Sequence, residues 1–456
     1  MIVMKFGGTS VESAAALRRV VEIVRAHLER RPVVVVSAMG KTTNGLLAVA
    51  SEAARGRRAQ ALQRLAELRR FHLAEGLAPA AEAERAELEQ LIEEHFRELA
   101  ELVGGLSVLG ELTPRSLDAV ASYGERLSSR ILAAALRGAG VPAEAVDARR
   151  LIVTDRRHTQ AAPLYAQTYG RLASAIPPLA RDRVVVLGGF IGATEDGVTT
   201  TLGRGGSDFT ASLVGAGLEA EEIQIWTDVD GMLTADPNLV PEARRVKTIS
   251  FAEAAELAYF GAKVLHPATV LPAVEKNIPV LILNSRRPEA PGTRIVAETV
   301  ACSNPVKSIA CKRRITVVDV HSTRMLMAYG FLRRIFEVFD QCETPVDLLA
   351  TSEVSVSLTI DSTERLEEIC ARLREFAQVG VEQGQAILCL VGDNIRYTPG
   401  IAARAFGALS DVNVRMISQG ASLRNLSLVV SEQDAPRAVQ ALHREFFQEL
   451  DPEVFA

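Results

Sequence analysis

Up to about residue 285, short apolar runs alternate with amphipathic stretches. "MIVMKF" is followed by Val20, Val21, Val24 and Leu28 at helical spacing, and then by "PVVVVSAMG". Further runs are "RVVVLGGFIG" (183–192), "EIQIWTDVDG" (222–231) and "IPVLILN" (278–284). Unbroken Val/Ile/Leu runs have no polar face, so they predict strands buried on both sides. The expected fold is α/β, a mainly parallel sheet sandwiched by helices. Residues 51–103 contain one proline, Pro79, and are rich in Ala, Leu, Glu and Arg. They predict a helical insertion, folded as a hairpin with its charges on the solvated face. It carries no chemical assignment.

The texture changes at "PEAPGTRI" (288–295), a Pro/Gly-rich joint that predicts a domain boundary. Beyond it lies an imperfect repeat: residues 329–361 parallel residues 399–431. Gly330 matches Gly400 and Phe336 matches Phe406; after a two-residue deletion, Val346 matches Val414. Each copy has a glycine opening a helix, an apolar helical stripe, and two extended segments around a small polar turn. This predicts two similar βαββ modules. Neither copy carries an obvious acid–base pair, which points to binding or assembly rather than chemistry.

Bulk properties narrow the class. A chain of 456 residues predicts two or three domains. A net charge of −5 supplies no basic stripe and argues against nucleic acid. The N-terminus enters strand and turn directly, without the regions of a signal peptide, and no apolar run approaches the roughly 20 residues that cross a bilayer. Cys302, Cys311, Cys342, Cys370 and Cys389 show no C-x-x-C pairing, against zinc and against a disulfide framework. The cytoplasm is the expected compartment.

Four stretches carry candidate chemistry. In "MKFGGTS" (4–10), Lys5 sits on a strand end, Gly7 and Gly8 form a turn, and Ser10 or Ser13 is placed to cap the next helix. The order is not that of a Walker A loop. Backbone N–H groups beside glycine can still approach a phosphate closely while a lysine neutralises it; on these seven residues alone a plain β–α turn is the favoured reading. "TTTLGRGGSDFTA" (199–211) gathers hydroxyls, glycines, Arg204 and Asp208 before a helix. Arginine can fork onto a carboxylate, and Asp208 can orient a lysine from another loop. In "WTDVDGMLTADP" (226–237), Asp228, Asp230 and Asp236 suit either a cation or an ordinary Asp/Gly/Pro turn; the position-12 glutamate of an EF-hand is missing. "YFGAKVLHPAT" (259–269) puts Lys263 in a helical segment, where a solvated charge is the plain alternative, and His266 reads as structural. Glu125, near the start of an otherwise apolar helix, either favours the helix dipole or faces a substrate ammonium group.

These stretches fall at the C-terminal ends of predicted parallel strands, where open α/β sheets bind ligands. A lysine-and-glycine phosphate site beside an arginine and a glutamate suits phosphate transfer to an amino acid.

"KFGGTS", "TLGRGGSD", "WTDVDGMLTADP", "FGAKVLHP" and the tandem repeat resemble the aspartate kinase family of the amino-acid-kinase superfamily, over essentially the whole chain. The repeats resemble ACT domains. The resemblance implies an amino-acid-kinase domain over 1–297 with the insertion at about 51–103. Two ferredoxin-like βαββαβ ACT domains follow, over 305–380 and 381–456, free to interleave. It implies ATP- and Mg²⁺-dependent phosphorylation of the L-aspartate β-carboxylate to 4-phospho-L-aspartate, the first step towards lysine, threonine, methionine and diaminopimelate. Lys5 would stabilise the transferring phosphoryl group with Gly7 and Gly8, and Asp208 would hold Lys5. Arg204 and Glu125 would bind the α-carboxylate and α-ammonium, with Thr43, Asn44 and Ser207 nearby. Thr9, Ser10, Thr227, Asp228, Leu233, Asp236 and Lys263 would meet the nucleotide. No protein metal ligand is implied.

Leu233 and Asn238 depart from the family's "GxYTxDPR" stretch, so the nucleotide contact there must differ. Met325, Gly330, Phe331, Leu332, Val346, Asp347 and Ser352 match effector-binding positions of lysine-inhibited members, with Asp347 placed to receive an ammonium group. Pro345 replaces a serine and removes a donor. Lysine is the expected effector, with threonine or insensitivity as alternatives. Edge-to-edge ACT pairing implies a homodimer or homotetramer. With the second repeat closing the sequence, a monofunctional enzyme without a fused homoserine dehydrogenase is expected. The rivals are a sister kinase acting on glutamate, N-acetylglutamate or UMP, and a catalytically silent amino-acid sensor.

Overall fold

The computed structural model describes residues 1–261, 267–298, 301–322 and 329–456. By contacts the chain divides into two units, Met1–Gly231 with Val264–Ala297, and Met232–Lys263 with Glu298–Ala456.

The first unit is built on the apolar runs. Its strands are β1 (Ile2–Phe6), β2 (Pro32–Val36), β3 (Ala143–Val146), β4 (Val184–Gly188), β5 (Ile191–Ala193), β6 (Thr199–Thr201) and β7 (Glu222–Thr227). β8 (Thr248–Ser250) belongs to the second unit, and β9 (Val280–Asn284) and β10 (Thr293–Val296) return to the first. The main sheet runs β3-β4-β2-β1-β7-β9-β10. All these neighbours are parallel except the final pair. β1, β2 and β4 are buried at every position, as strands covered on both faces must be. Lys5 stands opposite Val35 and Ile225, so the one charge in β1 is set among aliphatic neighbours.

The run 183–192, expected as one strand, breaks at Gly189 and Phe190 into β4 and the short hairpin β5–β6. Phe190 takes the left-handed backbone (φ 64°), which no pleated strand can contain.

Eight helices of this unit precede β7: α1 (Ala14–Arg25), α2 (Thr42–Ala54), α3 (Arg58–Leu77), α4 (Glu82–Leu109), α5 (Pro114–Ala121), α6 (Tyr123–Gly138), α7 (Tyr165–Leu179) and α8 (Gly206–Gly217). Ser13 caps α1, its hydroxyl accepting from the Ala16 N–H at 3.2 Å. The insertion is the expected hairpin, α3 against α4. Its buried stripe (Leu88, Ile92, Phe96, Leu99, Val103) repeats at three and four residues and joins the core of Met4, Phe6 and Leu17.

The second unit contains α9 (Phe251–Tyr259); α10 (Leu271–Glu275) lies in the first. Its sheet has β11 (Ser308–His321), β12 (Leu349–Thr351), β13 (Ser355–Ile360), β14 (Gln378–Val391), β15 (Met416–Gln419) and β16 (Asn425–Ser431), in the order β12-β13-β11-β14-β16-β15. Its helices are α11 (Phe331–Gln341), α12 (Leu366–Arg374), α13 (Ile401–Ala408) and α14 (Ala435–Phe446). The matched glycines open matched helices: Gly330 (φ 79°) before α11 and Gly400 (φ 85°) before α13. β11 and β14 run antiparallel along their length, with irregularities between Lys312 and Val317. Beyond them Thr316–His321 pairs β13, while β16 pairs Gln385–Val391 of β14. The two long strands thus serve both halves of the sheet.

Residues 232–261, expected inside a single domain over 1–297, pack with this second unit. The Ile309 N–H donates to the Thr234 carbonyl at 2.8 Å, Thr234 Oγ1 meets His443 Nε2 at 2.9 Å, and Arg245 pairs with Ala456 through both backbone groups. Glu253, buried in α9, meets buried Lys307 at 3.0 Å. Among the described residues no helix is long and apolar enough to cross a membrane.

Candidate functional site

The parallel strands β1, β2 and β4 end at one edge, and the segments that follow them line a cavity of about 360 Å³. Lys5 comes from β1 and Gly8 from the turn that follows it. The segment after β2 supplies Ser37, Ala38, Gly40, Lys41, Thr43 and Asn44, and Phe190 follows β4. The loop before α8 and its first turn add Gly203, Gly205, Gly206, Ser207 and Asp208, and α6 adds Glu125. Arg204 stands between two lining glycines with its own side chain exposed.

Lys5 is the charge at the centre of this arrangement. It is nearly buried, and its Nζ lies 2.7 Å from Asp208 Oδ1 in the first turn of α8. A lone ammonium so placed would be strongly disfavoured, and a carboxylate at a helix N-terminus is itself held in place by the dipole. Gly8 brings two chain segments together: a Cβ there would lie 2.9 Å from the Gly40 carbonyl oxygen and 3.0 Å from that of Ala38. A Cβ on Gly7 would lie 3.6 Å from Lys5 Nζ, so the glycine pair leaves the ammonium uncovered.

Glu125 is 3% exposed, and its Oε1 accepts from the Ala38 N–H at 3.1 Å. Oε2 is buried with no hydrogen-bond partner among the described residues. Burial pushes this carboxyl up to about 8, against the opposing effect of the Ala38 bond. Such an acid awaits a cation, and the helix-dipole reading of Glu125 leaves its free oxygen unexplained.

The other expected site residues divide. Lys5, Gly8, Thr43, Asn44, Glu125, Ser207 and Asp208 are brought together at the cavity. Thr9 is exposed, and Ser10 is buried with its hydroxyl 2.8 Å from that of Ser285, which leaves it a structural bond. Thr227 ends β7 and shares a 3.3 Å hydroxyl bond with Asp228. The aspartates of 226–237 do not converge. Asp230 is taken by Asn284 and Arg287, and Asp236 accepts from the Asn238 backbone and side chain at 2.9 Å in a local turn. Leu233 lies in the second unit, its carbonyl accepting from Ser308 Oγ at 2.7 Å. Among the described residues no three acidic, His or Cys side chains form a metal cluster. Lys263, His266 and Met325 lie outside the described residues.

Lys41 and Phe190 went unnoticed in the sequence. "GKTT" after β2 carried a usable signal, because β2 neighbours β1 and ends at the same edge. Phe190 was hidden inside an apolar run that reads as one strand.

In the second unit, Phe331 is buried at the start of α11 and Leu332 beside it is exposed. Val346 is partly buried against the core that includes Phe331. Ser352 closes the turn between β12 and β13, accepting from the Ser355 N–H at 3.1 Å. Asp347, its side chain 5% exposed, already has a cation: Lys312 Nζ lies 2.7 Å from it and 3.0 Å from Asp361. Burial holds the Asp347 carboxyl above its ordinary value even with Lys312 beside it.

Residues 1–284 match the amino acid kinase family, and residues 388–446 match an ACT domain. The chain is 40% identical over 464 residues to aspartokinase 1, chloroplastic, of Arabidopsis thaliana, covering 98% of this chain and 80% of that protein. It is similar in structure to E. coli aspartokinase III in complex with aspartate and ADP (R-state), at 37% identity and a TM-score of 0.83. That match covers 98% of this chain and 100% of the other. For the same E. coli enzyme in complex with lysine and aspartate (T-state), identity and coverage are the same and the TM-score is 0.86.

Proposed function

The chain belongs to the aspartokinases of the amino acid kinase family, and from that premise we propose how its cavity transfers phosphate. The enzyme phosphorylates the β-carboxylate of L-aspartate from ATP. A carboxylate is already a nucleophile, so the reaction needs no general base; the obstacle is the approach of one anion to another. The carboxylate oxygen forms a bond to the γ-phosphorus as the bond to the β,γ-bridging oxygen breaks, and ADP leaves with that electron pair. Lys5 meets the charge on the equatorial oxygens, with Asp208 holding the ammonium where that charge develops. The Gly8 backbone leaves room for the phosphoryl group. Glu125 receives the α-ammonium on its free oxygen, Arg204 forks onto the α-carboxylate, and Thr43, Asn44 and Ser207 close around the substrate.

The observation that carries this reading is the Lys5–Asp208 pair beside a buried, half-partnered Glu125 in one cavity. Magnesium is held chiefly by phosphate oxygens and water in such enzymes, and the cavity's cation and glycine edge fit a metal–phosphate group rather than a bare ion. When bound, it would supply further charge neutralisation on the phosphates. Thr227, Asp228, Leu233, Asp236 and Lys263 are proposed for the nucleotide.

The test is hydroxylamine trapping with ATP, Mg²⁺ and a panel of amino acids. An acyl hydroxamate with aspartate is expected; its absence would sink the reading, and a hydroxamate only with glutamate would favour the sister kinase. Lysine is proposed as feedback inhibitor through Gly330, Phe331, Leu332, Val346, Asp347, Ser352 and Met325. Support comes from the lysine complex of the E. coli relative. A homodimer or homotetramer is proposed on the short edge strands β12 and β15.

A further inference from the structure

We propose that Asp118 is a positioning residue that fixes the spacing between the two groups holding the substrate's amino-acid end. This rests on the reading of Glu125 and Arg204 as partners of the α-ammonium and α-carboxylate. Those two groups come from different elements, the start of α6 and the loop between β6 and α8. Something must hold the elements at a set distance.

Asp118 is 1% exposed, in the middle of α5. A carboxylate there is tolerated only when its oxygens are fully used. It accepts from Thr201 Oγ1 at 2.6 Å, from the Thr159 N–H at 3.0 and 3.1 Å, and from His158 Nδ1–H at 2.7 Å. Two of these partners lead to Arg204. Thr201 ends β6, three residues before it. Thr159, itself left-handed (φ 70°), sets its carbonyl oxygen 3.1 Å from the place a Cβ on Gly203 would take. Gly203 (φ 77°) is the residue before Arg204 and lines the cavity.

On the other side, α5 runs almost directly into α6. The Ser122 N–H donates to the Asp118 carbonyl at 3.0 Å, and the Arg126 N–H to that of Ser122 at 3.1 Å. Glu125 is one turn further on. The Asp118 carboxylate therefore joins the helix pair that presents Glu125 to the strand and loop that present Arg204. None of its contacts reaches the cavity itself, and none involves residues assigned to the nucleotide.

Two variants test this: Asp118→Asn, which keeps the shape but turns one acceptor oxygen into a donor, and Thr201→Val, which removes a single hydroxyl. Each is expected to raise the aspartate KM roughly tenfold, the effect of one lost bond to a charged group, while the ATP KM stays within about twofold. Equal losses for ATP and aspartate, or an aspartate KM within about twofold of wild type, would overturn the proposal. If Asp118→Asn does not fold, Thr201→Val decides alone. Glu125→Gln and Arg204→Ala separate the two levels: an unchanged aspartate KM in both contradicts the underlying recognition reading, whatever Asp118 does.

Discussion

Lys5 holds an ammonium in a nearly buried position with one acid beside it, and that pairing defines its role. A cation used only for attraction would do as well at an exposed rim, as Lys41 is placed. One held by Asp208 is preorganised for charge that appears during transfer. Lys5→Ala should lower kcat by roughly 10²–10³-fold, the effect of removing one aimed donor, with a much smaller change in aspartate binding. Single-turnover kinetics beside equilibrium binding would reveal the reverse pattern if the assignment is mistaken. Glu125 adds a pH signature. Its carboxyl sits at about 8 in the fold and returns to about 4.5 on unfolding. The folded protein keeps a proton that the unfolded chain has lost, so this stabilisation is complete below about 4.5 and lost as pH rises through about 8. Melting temperatures of Glu125→Gln should therefore fall less than those of wild type between about pH 5 and pH 9; parallel curves would show that the carboxyl is not raised. Lys5, Asp208 and Glu125, which line the cavity, were legible in the sequence because each stands in a short stretch of glycines, hydroxyls or charge after or within an apolar run. Lys41 has the same setting and was passed over. Asp118 was not legible, because a single acid in an amphipathic helix looks like a surface charge until its three partners meet in space.

At the scale of elements, the strands and the helical hairpin follow from period alone, since both are decided by which faces are buried. What period could not show is the break in 183–192. Gly189 and Phe190 look apolar enough to continue a strand, and only the left-handed backbone at Phe190 ends it. The hairpin in turn carries a buried histidine. His72 in α3 has Nδ1 2.8 Å from the Leu68 carbonyl and Nε2 3.4 Å from Thr42 Oγ1 in α2. Burial lowers it to about 4 from 6.5. A depressed histidine stabilises the fold fully above its unfolded value, and the contribution is lost as pH falls from about 6.5 towards 4. Urea unfolding across that range should show wild type losing stability more steeply than His72→Gln, and equal slopes would refute the assignment. The second unit holds an element with two uses. Lys312 stands at the irregularity in β11 and pairs with Asp347. An effector ammonium at that carboxylate must share or displace it. Lys312→Met should lower the lysine concentration for half-inhibition about fivefold, the worth of roughly 1 kcal/mol for a partly screened pair. Unchanged or weakened inhibition would show that Lys312 does not compete.

For the whole molecule, the two units answer to different parts of the sequence reading. The catalytic unit was visible as motifs on a parallel sheet. The second was visible as a repeat, and its boundary was not, because residues 232–261 join it by backbone bonds to β11 and the C-terminus that no local pattern announces. Sedimentation velocity should find a dimer or tetramer. A monomer at micromolar concentration would leave β12 and β15 as bare edges and contradict the proposed assembly. The long strands β11 and β14 have a further consequence, for heredity rather than energy. Since Ser308–Lys312 and Thr316–His321 of one strand complete different halves of the sheet, a fragment beginning after residue 380 keeps its repeat but loses the β11 residues beside Ile387–Val391. Neither repeat can be copied, exchanged or deleted by recombination without breaking the other. The regulatory half can change hands between proteins only as one piece.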